Sequence, residues 1–146
     1  MLVDSHCHLD FPEFEGKLDD LRGAMADNGV SHALCISTTV AGFPKVQSIA
    51  AAHANLWCSA GVHPDTEGEE EASEAQLIAM GSQPKVVAIG ETGLDYYRKD
   101  GDLDWQRDRF RVHIRAARKL AKPLVIHTRQ APEDTLAVMQ IGRAHV

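Results

Sequence analysis

The sequence predicts an α/β fold in which short parallel strands alternate with longer crossover helices. Three observations support this prediction: short apolar runs recur along the chain, segments with a helical apolar repeat separate them, and titratable side chains follow the runs. The chain has 146 residues, 44% of them hydrophobic, which is enough for one domain spanning residues 1–146. A complete α/β barrel typically needs about 250 residues.

The apolar runs predict five strands, at residues 2–5, 33–37, 57–62, 86–90 and 124–127. Residues 86–90 are apolar throughout, as expected of a strand that is buried on both faces of a parallel sheet. Because parallel strands end at the same edge of a sheet, the polar residues that follow them should lie close together.

Four helices are predicted between these strands. Apolar residues three to four positions apart indicate helices around residues 14–25, 46–53 and 77–80, and Asn28-Gly29 ends the first. The fourth, residues 103–121, is the clearest, because apolar side chains keep one face and arginines another, and Lys122-Pro123 ends it.

The charges leave two interpretations of that helix open. The chain has 15 basic and 21 acidic residues, a formal charge of −6, which argues against bulk electrostatic binding of nucleic acid. Nine of the 15 basic residues nevertheless lie between Arg98 and Lys122. They could form a local DNA-binding strip or only the solvated face of an outer helix.

The three cysteines contain no CxxC pair and lie in or beside apolar runs, so we expect them to be reduced. No basic leader opens the sequence, and no run approaches the about 20 apolar residues of a membrane span. We therefore expect a cytoplasmic protein without a membrane partner.

Candidate metal ligands follow three of the predicted strands. His6 and His8 are two residues apart on an extended segment, so both side chains point to one side and could chelate a cation, or they are simply polar residues at a strand end. Glu91 follows a buried strand, where a carboxylate needs a cationic partner. Its two oxygens could bridge two metal ions. Alternatively, Glu91 caps a turn or pairs with an arginine.

Two further histidines are predicted at the same edge. His127 ends the fifth strand and is followed by Arg129, which is suited to a phosphate or carboxylate. His63 follows the third strand, and we expect it to position substrate or transfer a proton, or else to make a structural hydrogen bond. Nitrogen and oxygen ligands of this kind suit Zn, Mn or Mg ions.

Four motifs occur in a fixed order: DSHCHLD, GVHP, GETGLDYY and IHTR. Together they resemble the TatD family of metal-dependent deoxyribonucleases, which have amidohydrolase-like barrels. The resemblance implies a TIM-type (β/α) barrel that is incomplete here, with about five of eight βα units. Gln130 stands where the family usually has an acidic residue, which should affect loop or substrate contacts.

The resemblance also implies a site with two divalent metal ions. His6 and His8 would hold one ion, Glu91 would lie between the two, and His127 would bind the second. The substrate would lie near the remaining site residues, which are His63, Asp95, Tyr96 and Arg129. The family's further metal histidine and acidic base candidate would come beyond residue 146, and residues 141–146 do not continue as the family does, so we expect a non-native tail.

The leading functional hypothesis is hydrolysis of DNA phosphodiester bonds by a metal-activated water, with Glu91 and His63 as catalytic residues and single-stranded DNA or a strand end as substrate. A second hypothesis is hydrolysis of an ester or amide such as aminoacyl-tRNA. The third is that this truncated chain is inactive and self-associates through its open strand edges.

Overall fold

The computed structural model describes residues 1–140 as a parallel sheet with strand order β1-β2-β3-β4-β5. Its strands are β1 (Leu2–Cys7), β2 (Val30–Cys35), β3 (Leu56–Ala60), β4 (Val86–Asp95) and β5 (Leu124–Arg129). Each strand pairs in parallel with the next. The predicted α/β class and the incomplete TIM-type barrel, a half-barrel of five βα units, are therefore confirmed.

The helices connect the strands and follow the last one. They are α1 (Leu18–Asp27), α2 (Phe43–Ala52), α3 (Glu74–Gly81), α4 (Asp104–Leu120) and α5 (Pro132–Gln140), and a 3-10 turn (Pro12–Phe14) precedes α1. The Ser73 hydroxyl accepts the Gln76 N–H and the Gln76 side chain accepts the Ser73 N–H, so a capping box begins α3. At the end of α4, Ala121 turns the chain with a φ of 51°.

Several predicted element boundaries differ from the structure by a few residues, and the largest difference within the sheet, at the end of β4, bears on the site. The fourth strand was expected to end at Gly90, but β4 continues to Asp95 and keeps pairing with β5 there. Glu91 consequently lies inside a strand. The reason is that Gly90 and Gly93, with φ values of 138° and 135°, bend β4 without ending it.

The main core lies between the sheet and the helices that cover one of its faces. Side chains of β2, β3 and β4 pack there against residues of α2, α3 and α4, among them Val46, Met80 and Ala117. Val87 alternates with buried neighbours and is 40% exposed, so it lies on the face away from this core.

The apolar side chains of that second face form a cleft of about 260 Å³, lined in part by Val3, Leu34 and Trp57. Among residues 1–140, no helix has both the length and the apolar character of a membrane span. The expected non-native tail, residues 141–146, lies outside the described residues.

Candidate metal centre

A cavity of about 430 Å³ opens at the carboxyl edge of the sheet. It brings together the five histidine and glutamate residues singled out from the sequence, His6, His8, His63, Glu91 and His127. The rest of its lining was not anticipated and comes from the loops after β1, β2 and β3: Phe11, Thr38, Asp65 and Thr66.

Glu91 occupies the middle of this cavity. Its Oε2 lies 3.2 Å from His6 Nε2, and its Oε1 lies 3.3 Å from His127 Nδ1. The residue is only 6% exposed, and no lysine or arginine of the described chain pairs with it. Each oxygen of one buried carboxylate therefore faces a different histidine, which does not fit the alternatives of a turn cap or an arginine partner.

The donor atoms form two groups that could each hold a metal ion. The ligand atoms of His6, His8 and Glu91 lie within 4.8 Å of one another, and so do those of His63, Glu91 and His127. Imidazole nitrogens and a carboxylate are the donor set expected for Zn or Mn, and Glu91 belongs to both groups. The residues present thus fit two neighbouring divalent ions.

Two hydrogen bonds orient the ligand histidines. His8 Nδ1 lies 3.3 Å from the carbonyl oxygen of Ile36, and His127 Nε2 lies 2.9 Å from Asp95 Oδ2. A proton held on these outer nitrogens leaves the other ring nitrogen unprotonated and able to bind a cation. The ring of Phe11 also stacks on His8 at a centroid distance of 4.6 Å.

Asp95, which the resemblance implied to lie near the substrate, has its carboxylate directed at His127. A clamp fixes its backbone: the Asp95 N–H donates to Gln106 Oε1 at 2.8 Å, and Gln106 Nε2 donates to the Asp95 carbonyl at 2.9 Å. The Tyr97 N–H donates to Asp95 Oδ1. Gln106 was missed, although its place on the apolar face of α4, four residues before Phe110, was a signal.

His63 is held as a hydrogen-bond donor to the cavity. Its Nδ1 accepts the Asp65 N–H at 3.0 Å, so the neutral ring carries its proton on Nε2, which lies 3.3 Å from His127 Nδ1. Burial, followed by the neighbouring His127, lowers the pKa of His63. This hydrogen bonding favours substrate positioning by the Nε2–H over a ligand role, so Glu91 and His127 are the side chains of the second group that would hold an ion.

Two glycines allow β4 and β5 to approach closely at the site. A Cβ on Gly93 would lie 2.0 Å from the His127 carbonyl oxygen, and one on Gly90 would lie 2.4 Å from the Val125 carbonyl oxygen. Both positions also have φ values that side chains disfavour. The glycines that flank Glu91 therefore set the distance between Glu91 and His127.

Comparison with known proteins agrees with this geometry. A family model described as TatD related DNase matches residues 3–145. The chain belongs to the TatD family. Its relatives include proteins named metal-dependent hydrolases and others named exonucleases.

The TatD relatives are about twice as long as this chain. It is 37% identical over 142 residues to the uncharacterized metal-dependent hydrolase YcfH of Escherichia coli K12, covering 95% of this chain and 53% of that protein. It is 31% identical over 140 residues to the 3'-5' ssDNA/RNA exonuclease TatD of the same strain, covering 95% and 54%. The crystal structure of YJJV, a TatD homologue from E. coli K12, superposes with a TM-score of 0.89 at 27% identity, covering 97% and 56%.

Three residues that the TatD resemblance implied near the substrate, Asp95, Tyr96 and Arg129, are not part of the lining of this cavity, and Tyr96 and Arg129 make their contacts elsewhere. The Tyr96 hydroxyl donates to Asp134 Oδ2 at 2.6 Å and accepts from Arg107 Nη1 at 2.8 Å, so it is directed at α4 and α5. Arg129 lies in an adjoining cleft, over the ring of Tyr97, the residue that follows Tyr96. The central carbon of its guanidinium is 3.5 Å from the ring centroid.

Carboxylates neutralise most of the basic strip along α4 of this TatD-family chain. Arg107 pairs with Asp102, Asp104 and Asp134, and Arg109 pairs with Glu71. The remaining ion pairs of the helix are Arg111 with Asp108, and both Arg115 and Lys119 with Glu74. These pairs favour the interpretation of a solvated outer face over that of a DNA-binding strip.

Proposed function

We propose that the protein is a metal-dependent nuclease that hydrolyses phosphodiester bonds of DNA, with single-stranded DNA or a strand end as its substrate. The observation that carries this proposal is the position of Glu91, whose two oxygens face two histidine groups in one open cavity. Membership of the TatD family and the exonuclease name of one relative support the same substrate class.

In this proposal, two divalent ions (Mg, Mn or Zn) would be held by His6, His8, Glu91 and His127. Bound there, they would lower the pKa of a coordinated water and offset the charge that develops at phosphorus. The packing of β4 fixes the buried Glu91 carboxylate between the two histidine groups. Asp95 holds His127 in the required tautomer.

His63 would act on the substrate itself. Its Nε2–H faces the cavity beside His127, and its Nδ1 is already engaged by the Asp65 N–H. A neutral N–H donor in this position can bind a phosphate oxygen and stabilise the charge that develops on it. The buried guanidinium of Arg109 holds this loop by donating to the His63 carbonyl at 2.7 Å.

We also propose that the protein works in the reducing cytoplasm. Cys35 and Cys58 are buried free thiols, and Cys7 is free and half-buried. Unpaired buried cysteines are typical of proteins that work in a reducing compartment.

The experiment is a hydrolysis assay of the 146-residue chain on end-labelled single-stranded DNA with Mg²⁺ or Mn²⁺. Glu91→Gln should abolish the activity, and so should His6→Ala/His8→Ala. His53→Gln, which removes a histidine outside the cavity, should leave it unchanged. Aminoacylated RNA, assayed in parallel, tests the ester substrate. Hydrolysis of that RNA but not of DNA would contradict the proposal, as would DNA cleavage that survives Glu91→Gln.

A further inference from the structure

A second cleft, of about 310 Å³, adjoins the candidate metal centre. Its lining comes from the end of β4, the residues that follow it, the end of β5 and the loop after β3: Asp65, Asp95, Tyr97, Arg98, Lys99 and Arg129. The two cavities share Asp65, and the Asp95 carboxylate in the second contacts the candidate ligand His127 of the first. A ligand extending out of the metal cavity on this side would enter the second cleft.

The acidic groups of the second cleft are already engaged. Asp65 pairs with Lys99 at 2.7 Å, and Lys99 also pairs with Glu67. The two oxygens of Asp95 contact His127 and the backbone N–H of Tyr97. Neither carboxylate therefore neutralises the two arginines of the cleft.

Arg98 and Arg129 differ in this respect from four of the five arginines of α4. Within residues 1–140, five arginines have a carboxylate within 4 Å, whereas Arg98, Arg118 and Arg129 have none. Arg118 lies on α4, away from this cleft. The positive charge that remains beside the metal centre is therefore concentrated at Arg98 and Arg129.

The ring of Tyr97 holds both guanidinium groups. The central carbon of the Arg129 guanidinium lies 3.5 Å from the ring centroid, and that of Arg98 lies 4.7 Å from it. A guanidinium that lies over an aromatic ring uses its flat face for that contact and keeps its in-plane N–H donors available. Those donors match the oxygens of a phosphate group.

We propose that Arg98 and Arg129, held on Tyr97, bind a phosphate group of the nucleic acid strand that neighbours the phosphate hydrolysed at the metal centre. This inference rests on the proposed nuclease function for the identity of the strand. It assigns the substrate contact of this region to Tyr97 and Arg98, while the Tyr96 hydroxyl is engaged with Asp134. The cleft would hold the strand so that the adjacent bond lies at the metal ligands.

The test measures binding of fluorescein-labelled hexathymidylate to the 146-residue chain by anisotropy in EDTA, over a range of KCl concentrations. Arg98→Gln/Arg129→Gln should weaken binding about tenfold, because two charge-assisted contacts are lost. It should lower the slope of log affinity against log salt by about 0.7, because one phosphate contact of a single strand is lost. Tyr97→Leu should weaken binding less, since both charges remain.

The matched control is Arg118→Gln, which removes an arginine equally without a carboxylate partner, and it should change affinity by less than about twofold. Circular dichroism of each variant verifies the fold. A second probe, hexathymidylate with one neutral methylphosphonate linkage, should bind more weakly than the charged strand to the wild-type chain at one or more linkage positions. The double variant should not distinguish the two strands.

The proposal is overturned if the wild-type chain does not bind the strand, or if the double variant behaves like Arg118→Gln. Because binding is measured without metal ions, it is independent of hydrolysis. If the arginine effect is present but the wild-type chain does not cleave DNA with Mg²⁺ or Mn²⁺, the nuclease proposal fails and the phosphate site stands. If DNA is cleaved and the arginines have no effect on binding, only the phosphate site fails.

Discussion

Strands β1 and β4 both bring candidate ligands to the metal cavity, but their surroundings differ. Strand β4 pairs with a neighbour on each side, and nine of its ten residues are buried. Strand β1 pairs only with β2 in the described structure, and its side chains are exposed, with Leu2 at 61% and Val3 at 62%. Glu91 is thus fixed by packing, whereas His6 and His8 depend on one strand pairing and the His8–Ile36 contact.

This difference divides the candidate centre into a packed half and an exposed half. The packed half contains the buried Glu91 with the half-buried His63 and His127, and the exposed half contains His6 on β1 and the half-buried His8 that follows this strand. Substitutions in the packed half should lower both the free energy of unfolding and metal affinity. Substitutions on β1 should affect metal binding with little effect on folding.

The largest effect is expected for Gly93→Ala. Its Cβ would lie 2.0 Å from the His127 carbonyl oxygen at a φ of 135°, so β4 and β5 must separate. We expect a loss of about 3 kcal/mol or more in the free energy of unfolding, measured by urea denaturation. Gly68→Ala is the control, since its φ of 76° is also positive but nothing lies within 4 Å. Equal losses would mean that the close approach does not constrain the site.

The second expected effect is a loss of stability at acid pH through His113. This buried ring on α4 accepts the Val62 N–H at 3.0 Å and contacts the Arg109 carbonyl. Burial lowers its pKa from 6.5 to about 4, so unfolding takes up a proton in this range and stability falls as pH drops from about 6.5 toward 4. Over this pH range the free energy of unfolding should fall by about 3 kcal/mol.

Urea denaturation at a series of pH values measures this contribution. His113→Gln should flatten the curve between pH 6.5 and 4 relative to wild type, whereas the half-buried His53→Gln should not. If His113→Gln and wild type show the same dependence of the free energy of unfolding on pH, His113 is not the source of that dependence.

Asp95→Asn should produce a smaller and local effect. Without the carboxylate beside Nε2, His127 is less firmly held in the tautomer that binds a cation. We expect affinity for Zn²⁺ or Mn²⁺ to fall by about 10-fold to 100-fold at the packed half, measured by calorimetry. Asp4→Asn is the matched change on β1, where the Asp4 carboxylate accepts the backbone N–H of the exposed His6. This substitution should have little effect on metal affinity. A larger loss of metal affinity in Asp4→Asn than in Asp95→Asn would contradict the division into a packed and an exposed half.

The smallest effect is expected for Val3→Thr. The side chain is 62% exposed on β1, so the free energy of unfolding should change by about 0.5 kcal/mol or less. Val86→Thr on β4 places a hydroxyl at a buried position and should cost about 2 kcal/mol. Similar costs for the two substitutions would show that β1 is covered in solution, as self-association through its open edge would require.

The sequence predicted most of the fold because its signals are local. Apolar runs and helical repeats indicated the five strands and the helices between them, and the polar residues after the strands indicated the edge where the cavity lies. The end of β4 was not predictable in this way. Glycine is ordinarily read as a strand breaker, but Gly90 and Gly93 allow the strand to bend and continue.

The contacts that orient the candidate ligands are long-range, and apart from the place of Gln106 on the apolar face of α4 they had no local signal. The pairing of Asp95 with His127, and its clamp by Gln106, join residues from different elements. Tyr96 and Tyr97 are adjacent, and only the packing of α4 and α5 determines which one faces the cleft. The ion pairs along α4 likewise depend on carboxylates from other loops and helices, such as Glu71 and Asp134.

The central claim is that Glu91 joins two metal-binding groups, one with His6 and His8 and the other with His127. Calorimetric titration of the 146-residue chain with Mn²⁺ or Zn²⁺ tests it most directly. We expect two ions to bind the wild-type chain, one to bind His6→Ala/His8→Ala, and affinity for both to fall in Glu91→Gln. Two ions of unchanged affinity in Glu91→Gln, or loss of both ions in His6→Ala/His8→Ala, would contradict the account.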